Sequence, residues 1–206
     1  MILFDKTRIY GWEAAVRGMR NPMNSWDRSD SRFENDGYQR ILGEHDLELM
    51  KKLAKAGPVH GKYMRMITVT TDIIAPLYWW KEFDTYKVGT VRNSCSTMHK
   101  IQAKKFEPDD FSHEHLSDSS LKILLDVINA LNYWRDQFLE TKSKKVWWQM
   151  IQLLPSSYNQ RSTVMLNYAV LQHIYPDRKD HKLDEWQDFC WWIRSLPYSE
   201  LITGEE

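Results

Sequence analysis

The chain has 206 residues, the length of one medium domain and enough to bury a core without disulfide or metal staples. Its 28 Lys and Arg offset 28 Asp and Glu, so no global field draws in DNA, RNA or an anionic membrane, and a general nucleic-acid coat is disfavoured. Cys95 and Cys190 alone make neither a disulfide framework nor a Cys-rich zinc module, no apolar run approaches the roughly 18 residues of a membrane span, and charge follows Met1 too early for a signal peptide, which together predict a soluble cytoplasmic protein.

In chain order, the stretch from Gly18 to Gly37 has neither hydrophobic period and reads as a loop, ordered or mobile. From Glu44 to Ala56, Leu47, Leu49, Met50, Leu53 and Ala54 recur at helical spacing, and Gly57-Pro58 supplies a stop. Tyr63 to Thr70 alternates as a half-buried strand. Thr71-Asp72 then reads as a cap for a helical segment from Ile73 to Phe83, with Pro76 limiting its first turn. Asp84 to Lys105 reads as loop plus a short strand. A long amphipathic helix follows, capped by Ser117 or Asp118 and running through Leu121, Leu124, Leu125, Ile128, Leu131, Trp134 and Phe138. Shorter helices are predicted at Val146 to Leu153, at Ser162 to Tyr175 with a break at Pro176, and at Lys182 to Leu196 before Pro197. No repeat or low-complexity segment appears, so the sum is a single helix-rich α+β domain, a small sheet with long helices.

Ten Trp, ten Tyr and seven Phe stand out. The pairs Trp79-Trp80, Trp147-Trp148 and Trp191-Trp192 place adjacent rings about 100° apart on a helix, so one enters the core while its neighbour meets another surface, a subunit interface or a flat ligand. His113-Glu114-His115 lacks further ligands at convincing spacing and reads as a solvated loop rather than a metal site. Cys95 with His99 four residues on has no third orienting group to make it an activated thiol.

The densest pattern of side chains suited to a ligand lies near the end: Leu154-Pro155, then Thr163, Asn167, His173 and Arg178, then Asp184-Glu185-Trp186 opening the last helix. An Asn amide both donates to and accepts from a heterocycle edge, and Arg clamps a phosphate with paired hydrogen bonds. This pattern resembles the C-terminal signature of the flavin-dependent thymidylate synthases (ThyX), in which a Leu-Pro precedes a Thr, an Asn, a His and an Arg at closely similar intervals. The family's Arg two residues after the Asn is Ala169 here, and its Gln-containing segment is Leu183-Asp184-Glu185. A second stretch, Trp79 to His99, lies where the family carries Arg-His-Arg followed by Ser-x-Asn-x-x-Ser-x-Arg-Tyr. Asn93 and Ser96 match, Val91 replaces the first Ser, Met98-His99 replaces Arg-Tyr, and Arg-His-Arg is missing. Pro58-Val59-His60 is similar to the family's Pro-x-Glu-His, one residue short.

The resemblance covers most of residues 40–196 and implies the ThyX fold, a homotetramer with sites between subunits, and FAD as cofactor. It also implies dUMP as the pyrimidine nucleotide, with NADPH and methylenetetrahydrofolate as co-substrates if the chain is catalytic. Arg92, Asn93, Ser94, Ser96 and Arg178 are then expected on the nucleotide, and His60, Lys81, Lys87, Asn167 and His173 on the cofactor. Because the flavin carries the reaction, the chain needs no nucleophile of its own. The missing cations leave a second reading open, a non-catalytic protein that keeps the fold and binds or sequesters a nucleotide.

Overall fold

The computed structural model describes residues 1–34 and 39–205. Among them, a four-stranded sheet has the order β1-β4-β6-β5, formed by β1 (Leu3–Tyr10), β4 (Thr68–Pro76), β5 (Val91–Ser94) and β6 (Asn159–Asn167). Two short strands, β2 (Arg32–Glu34) and β3 (Gln39–Ile41), pair antiparallel beside it in sequence. The fold is α+β, as predicted. No helix of the described residues is long and apolar enough to cross a membrane.

The chain forms two compact units. One holds residues 1–3, 73–85 and 93–162; the other holds 4–72, 86–92 and 163–206. The first is organised by α3 (Leu77–Phe83), α4 (Asp118–Thr141) and α5 (Lys144–Leu153). Ser117 caps α4 through its Oγ, which accepts from the Ser120 N–H, so of the two predicted caps the structure uses this one. Leu124, Ile128 and Leu131 of α4 pack with Met150 of α5 and with Ile101, Phe106 and Phe111, the inward stripe that the sequence spacing predicts.

The second unit carries α1 (Trp12–Arg20), α2 (Glu44–Lys55), α6 (Tyr168–Arg178), α7 (Asp184–Arg194) and α8 (Glu200–Thr203). Trp12 meets Tyr168 edge-on at 5.3 Å, and Trp186 meets Phe189 at 5.6 Å, so large rings fill this core. A buried ion pair fastens it: Arg20 Nε donates to Asp46 Oδ1 at 2.6 Å. Asp46 Oδ2 accepts from Ser29 Oγ (2.7 Å), Ser31 Oγ (2.7 Å) and the N–H groups of Asp30 and Ser31. The described part of the predicted 18–37 loop is therefore ordered, with 3₁₀ turns at Asn21–Met23 and Trp26–Arg28; residues 35–37 of that loop lie outside the described residues. Asp30, drawn from the same loop, caps α2 by accepting from the His45 and Asp46 N–H groups at 3.0 Å. Its carboxylate fills the space beside the Gly43 Cα, where any Cβ would collide with it.

Three predicted elements are corrected. The strand placed at Tyr63 to Thr70 begins at Thr68, because Gly61–Arg65 is a 3₁₀ turn in which adjacent Tyr63 and Met64 are both buried and the Tyr63 hydroxyl bonds the Met50 carbonyl. That strand runs through Ile73 and Ile74 to Pro76; Thr71 and Asp72 lie inside it rather than capping a helix, since β-branched side chains alternate across the sheet up to the proline. The helix placed at Ser162 to Tyr175 is strand to Asn167, with Gln160, Ser162, Val164 and Leu166 buried at a period of two, and becomes helix only at Tyr168. Pro176 does not break it: α6 continues to Arg178. Trp79 and Trp80 are both fully buried, whereas Trp191 is 73% exposed beside a buried Trp192, and exposed Trp148 follows Trp147, which packs against the core of α4 and α5, so these latter two pairs divide their rings as expected.

Candidate functional site

The second unit holds His60, Lys87, Arg92, Asn167, His173 and Arg178, and contacts join the last three of these to the Tyr86 to Arg92 segment. Its segment from Tyr86 to Arg92 lies against α6, and the approach depends on Gly89. That residue has φ +76°, a left-handed conformation, and a Cβ there would stand 3.0 Å from Val170 Cγ2 and 3.1 Å from Asn167 Nδ2. The next residue, Thr90, has its Oγ1 buried with no hydrogen-bond partner.

Asn167 ends β6 and is the N-cap of α6, where its Oδ1 accepts from the Val170 N–H at 3.0 Å. The amide oxygen is thus engaged by the helix, and its Nδ2 sits by Gly89. Thr163 and Asn167 share one face of β6, and Thr163 Oγ1 donates to Asp72 Oδ1 at 2.6 Å.

At the other end of α6, Arg178 is half-buried among aromatic rings. Its Nε donates to the Tyr86 hydroxyl at 2.8 Å. Its guanidinium carbon lies 4.4 Å from the Trp186 ring centroid and 5.5 Å from that of Tyr86. Tyr86 also meets His173 at 6.2 Å and Trp186 at 6.0 Å, both edge-on. Cation–π contacts of this kind contribute about 0.5–2 kcal/mol, the larger values where the cation is desolvated. Trp186 is fully buried, so the guanidinium rests on a fixed floor. Continuity of α6 through Pro176 places Asn167, His173 and Arg178 along one helix, not on two sides of a break. His173 and Lys87 are exposed, Arg92 is half-buried, and His60 is exposed where the 3₁₀ turn Gly61–Arg65 begins.

The remaining predicted residues belong to the first unit. Asn93 and Ser94 are exposed at the end of β5, and Lys81 is exposed on α3. Ser96 Oγ accepts from the N–H groups of Met98 (3.2 Å) and His99 (3.1 Å), which engages it locally as the cap of a turn. Cys95 is exposed, with its carbonyl held by Gln160 Nε2 at 2.7 Å and its N–H by the Arg161 carbonyl at 2.9 Å. Cys190 is buried, and burial pushes its thiol up to about 11, which keeps it protonated and unreactive. His113 bonds the Phe111 carbonyl at 2.8 Å, a local contact in keeping with a loop, and Glu114 pairs with the distant Met1 ammonium at 3.0 Å.

The part of Tyr86 is the main feature that sequence reasoning misses. It stands 92 positions from Arg178, and no spacing rule links residues at that distance. The signal that bears on it is composition, a Tyr close before a Gly-Thr in the segment already singled out for its short polar side chains.

No protein-family model and no curated protein sequence matches the chain. Solved structures do. The chain is similar to the flavin-dependent thymidylate synthase ThyX of Helicobacter pylori complexed with FAD and dUMP, with a TM-score of 0.71 and 18% identity over 98% of each chain. It is also similar to the UMP/dUMP methylase PolB of Streptomyces cacaoi bound with 5-Br dUMP, with a TM-score of 0.61 and 14% identity over 99% of this chain and 95% of that one. The likeness is one of fold: this chain has the ThyX fold along nearly its whole length, in keeping with the resemblance seen in its sequence.

Proposed function

We propose that this protein is a divergent ThyX-like protein that binds dUMP and FAD and methylates dUMP to dTMP. The observation that carries the reading is the held guanidinium of Arg178 near the Tyr86 to Arg92 segment, a phosphate-binding group on a fold whose solved neighbours bind uridylates. The donors present suit a ligand bearing phosphate and ribose. Thr90 has a buried hydroxyl lacking a partner, and Gly89 lets backbone approach closely.

In this reading Arg178 and Arg92 hold the nucleotide phosphate, and Asn93, Ser94 and Ser96 supply short hydrogen-bonding groups to sugar and base. Asn167 Nδ2, His60, His173, Lys81 and Lys87 serve the cofactor. FAD, when bound, supplies the reduction that converts a one-carbon unit from methylenetetrahydrofolate into the methyl group of dTMP, with NADPH as reductant. The protein contributes binding and orientation, and a homotetramer is the assembly this reading expects.

A second reading, a nucleotide binder without flavin, is favoured by two observations. Ala169 stands where the resemblance calls for Arg, and the Asn167 oxygen is engaged by α6 rather than presented to a ring system. Absorbance separates the two. Purified protein mixed with FAD and freed of unbound ligand should absorb at about 450 nm, the flavin's own band. Protein that stays colourless yet binds dUMP would establish the second reading, and protein that binds neither would refute both.

A further inference from the structure

We propose that the outer face of α5 binds single-stranded nucleic acid, with the Trp148 ring stacking on an unpaired base and Lys144 and Lys145 meeting backbone phosphates. The first turn of a helix favours carboxylates, and α2, α4 and α7 carry them there: Glu44 and Asp46, Asp118, and Asp184 with Glu185. In α5 there is none. Its first two residues are Lys144 and Lys145, and its N-cap Ser143 makes no side-chain cap bond. Both lysines are exposed, and among the described residues neither has an ion-pair partner. Their placement works against the local stability of α5, the kind of conflict that marks a surface kept for another purpose.

Trp148 follows Lys144 by four residues and Lys145 by three, so the three side chains share one patch of the helix surface. Its ring is 41% exposed, whereas Trp147, Met150 and Ile151 of the same helix pack into the core with α4. The two indoles meet edge-on at 4.9 Å, and Trp147 Nε1 donates to the Met98 carbonyl at 3.2 Å. The exposed ring therefore stands against a fixed neighbour. The same hydrogen bond ties to α5 the segment bearing Lys100, which is exposed and also lacks an ion-pair partner among the described residues. A flat ring held beside cations suits a base and its phosphates, and because duplex bases are already stacked on one another, the ring selects unpaired strands. The chain's zero net charge excludes a general coat but not this patch, since exposed charges act only over about 8–10 Å at ordinary salt.

Fluorescence anisotropy of a labelled oligodeoxythymidylate of about 12 nucleotides, added to the full chain with excess dUMP present, tests the assignment. The expected Kd is about 1–100 µM at physiological salt, with weaker binding of the same strand in a duplex and of polyglutamate. Lys144→Glu combined with Lys145→Glu should lower affinity at least tenfold and flatten its salt dependence by about 1.4 logarithmic units per decade, the share of two phosphate contacts on a single strand. Trp148→Ala should lower affinity about tenfold without changing the salt dependence. Lys52→Glu combined with Lys55→Glu makes the same change of net charge on α2 and should leave affinity unchanged.

Absence of binding, or competition by dUMP that places the strand in the nucleotide site, would overturn the proposal. Equal binding of duplex or polyglutamate would do the same, by reducing the patch to a general attractor of anions, as would an equal loss in the α2 variant or none in Trp148→Ala. The nucleotide reading above stands or falls separately, on FAD and dUMP. Because carboxylates favour the first turn of a helix, the α5 lysine variant should melt no lower than wild type, which separates lost binding from lost structure. Should either α5 variant unfold, the preference of wild type for the single strand over duplex and polyglutamate decides alone.

Discussion

Asp46 binds the described part of the 18–37 segment to α2, and its ionisation is the most consequential in the second unit. Burial pushes its carboxyl up, but hydrogen bonds from Ser29, Ser31 and Arg20 and the charge of Arg20 outweigh that and leave its pKa below the ordinary aspartate value. A carboxyl whose pKa is lower folded than unfolded contributes stability that is complete above the unfolded value of about 3.9 and is lost as pH falls through the folded value. Asp46→Asn leaves Arg20 buried without its charge partner and should cost about 3–5 kcal/mol at pH 7. Urea denaturation at pH 7 and again below pH 4 checks this: the gap between wild type and variant should narrow in acid, and a gap independent of pH would assign the stability to packing alone.

At the scale of the element, α6 joins cap and cation on one helix. Asn167→Ala removes the acceptor for the Val170 N–H and should cost about 1 kcal/mol, read by calorimetric melting, whereas Asn167→Asp keeps the acceptor and should melt close to wild type. The Asp variant keeps the cap while it exchanges the Nδ2 donor for a negative charge, so a fall in its FAD binding without a fall in melting temperature places the cofactor near this side chain, separately from the cap.

The same element explains what was legible beforehand. Helices α2 and α4 declare themselves through long apolar stripes and clear stops, with Gly57 after α2 and Ser117 before α4. The run Ser162 to Leu166 was ambiguous because its apolar residues fit a helix as well as a strand, and only pairing within the sheet decides for the strand. Strand β1 hides because Asp5, Lys6 and Arg8 interrupt its apolar positions. For the candidate site, sequence alone picked out Asn167, His173 and Arg178. It could not reveal that the Asn167 oxygen caps a helix or that Tyr86 holds Arg178, since both depend on how distant segments meet.

For the molecule as a whole, α4 and α5 leave apolar side chains outward: Ile123 is 66% exposed and Tyr133 57%, with Leu153 also exposed. Exposed apolar side chains of this size suit burial between copies, the assembly that the proposed function expects. Light scattering should give a mass above that of one chain, and Ile123→Glu combined with Tyr133→Glu should lower it; a wild-type monomer would contradict the assembly.

The meeting of Asp30 and Gly43 makes the effects of substitution dependent on one another. Gly43→Ala alone places a methyl group where the Asp30 carboxylate sits, while Asp30→Ala alone uncaps α2. Once Asp30 is gone the methyl group has room, so the double variant should unfold less readily than the sum of the two single losses implies, a thermodynamic cycle with a clear sign. Lineages of this chain could then exchange the acid and the glycine only in a set order, with the acid leaving first.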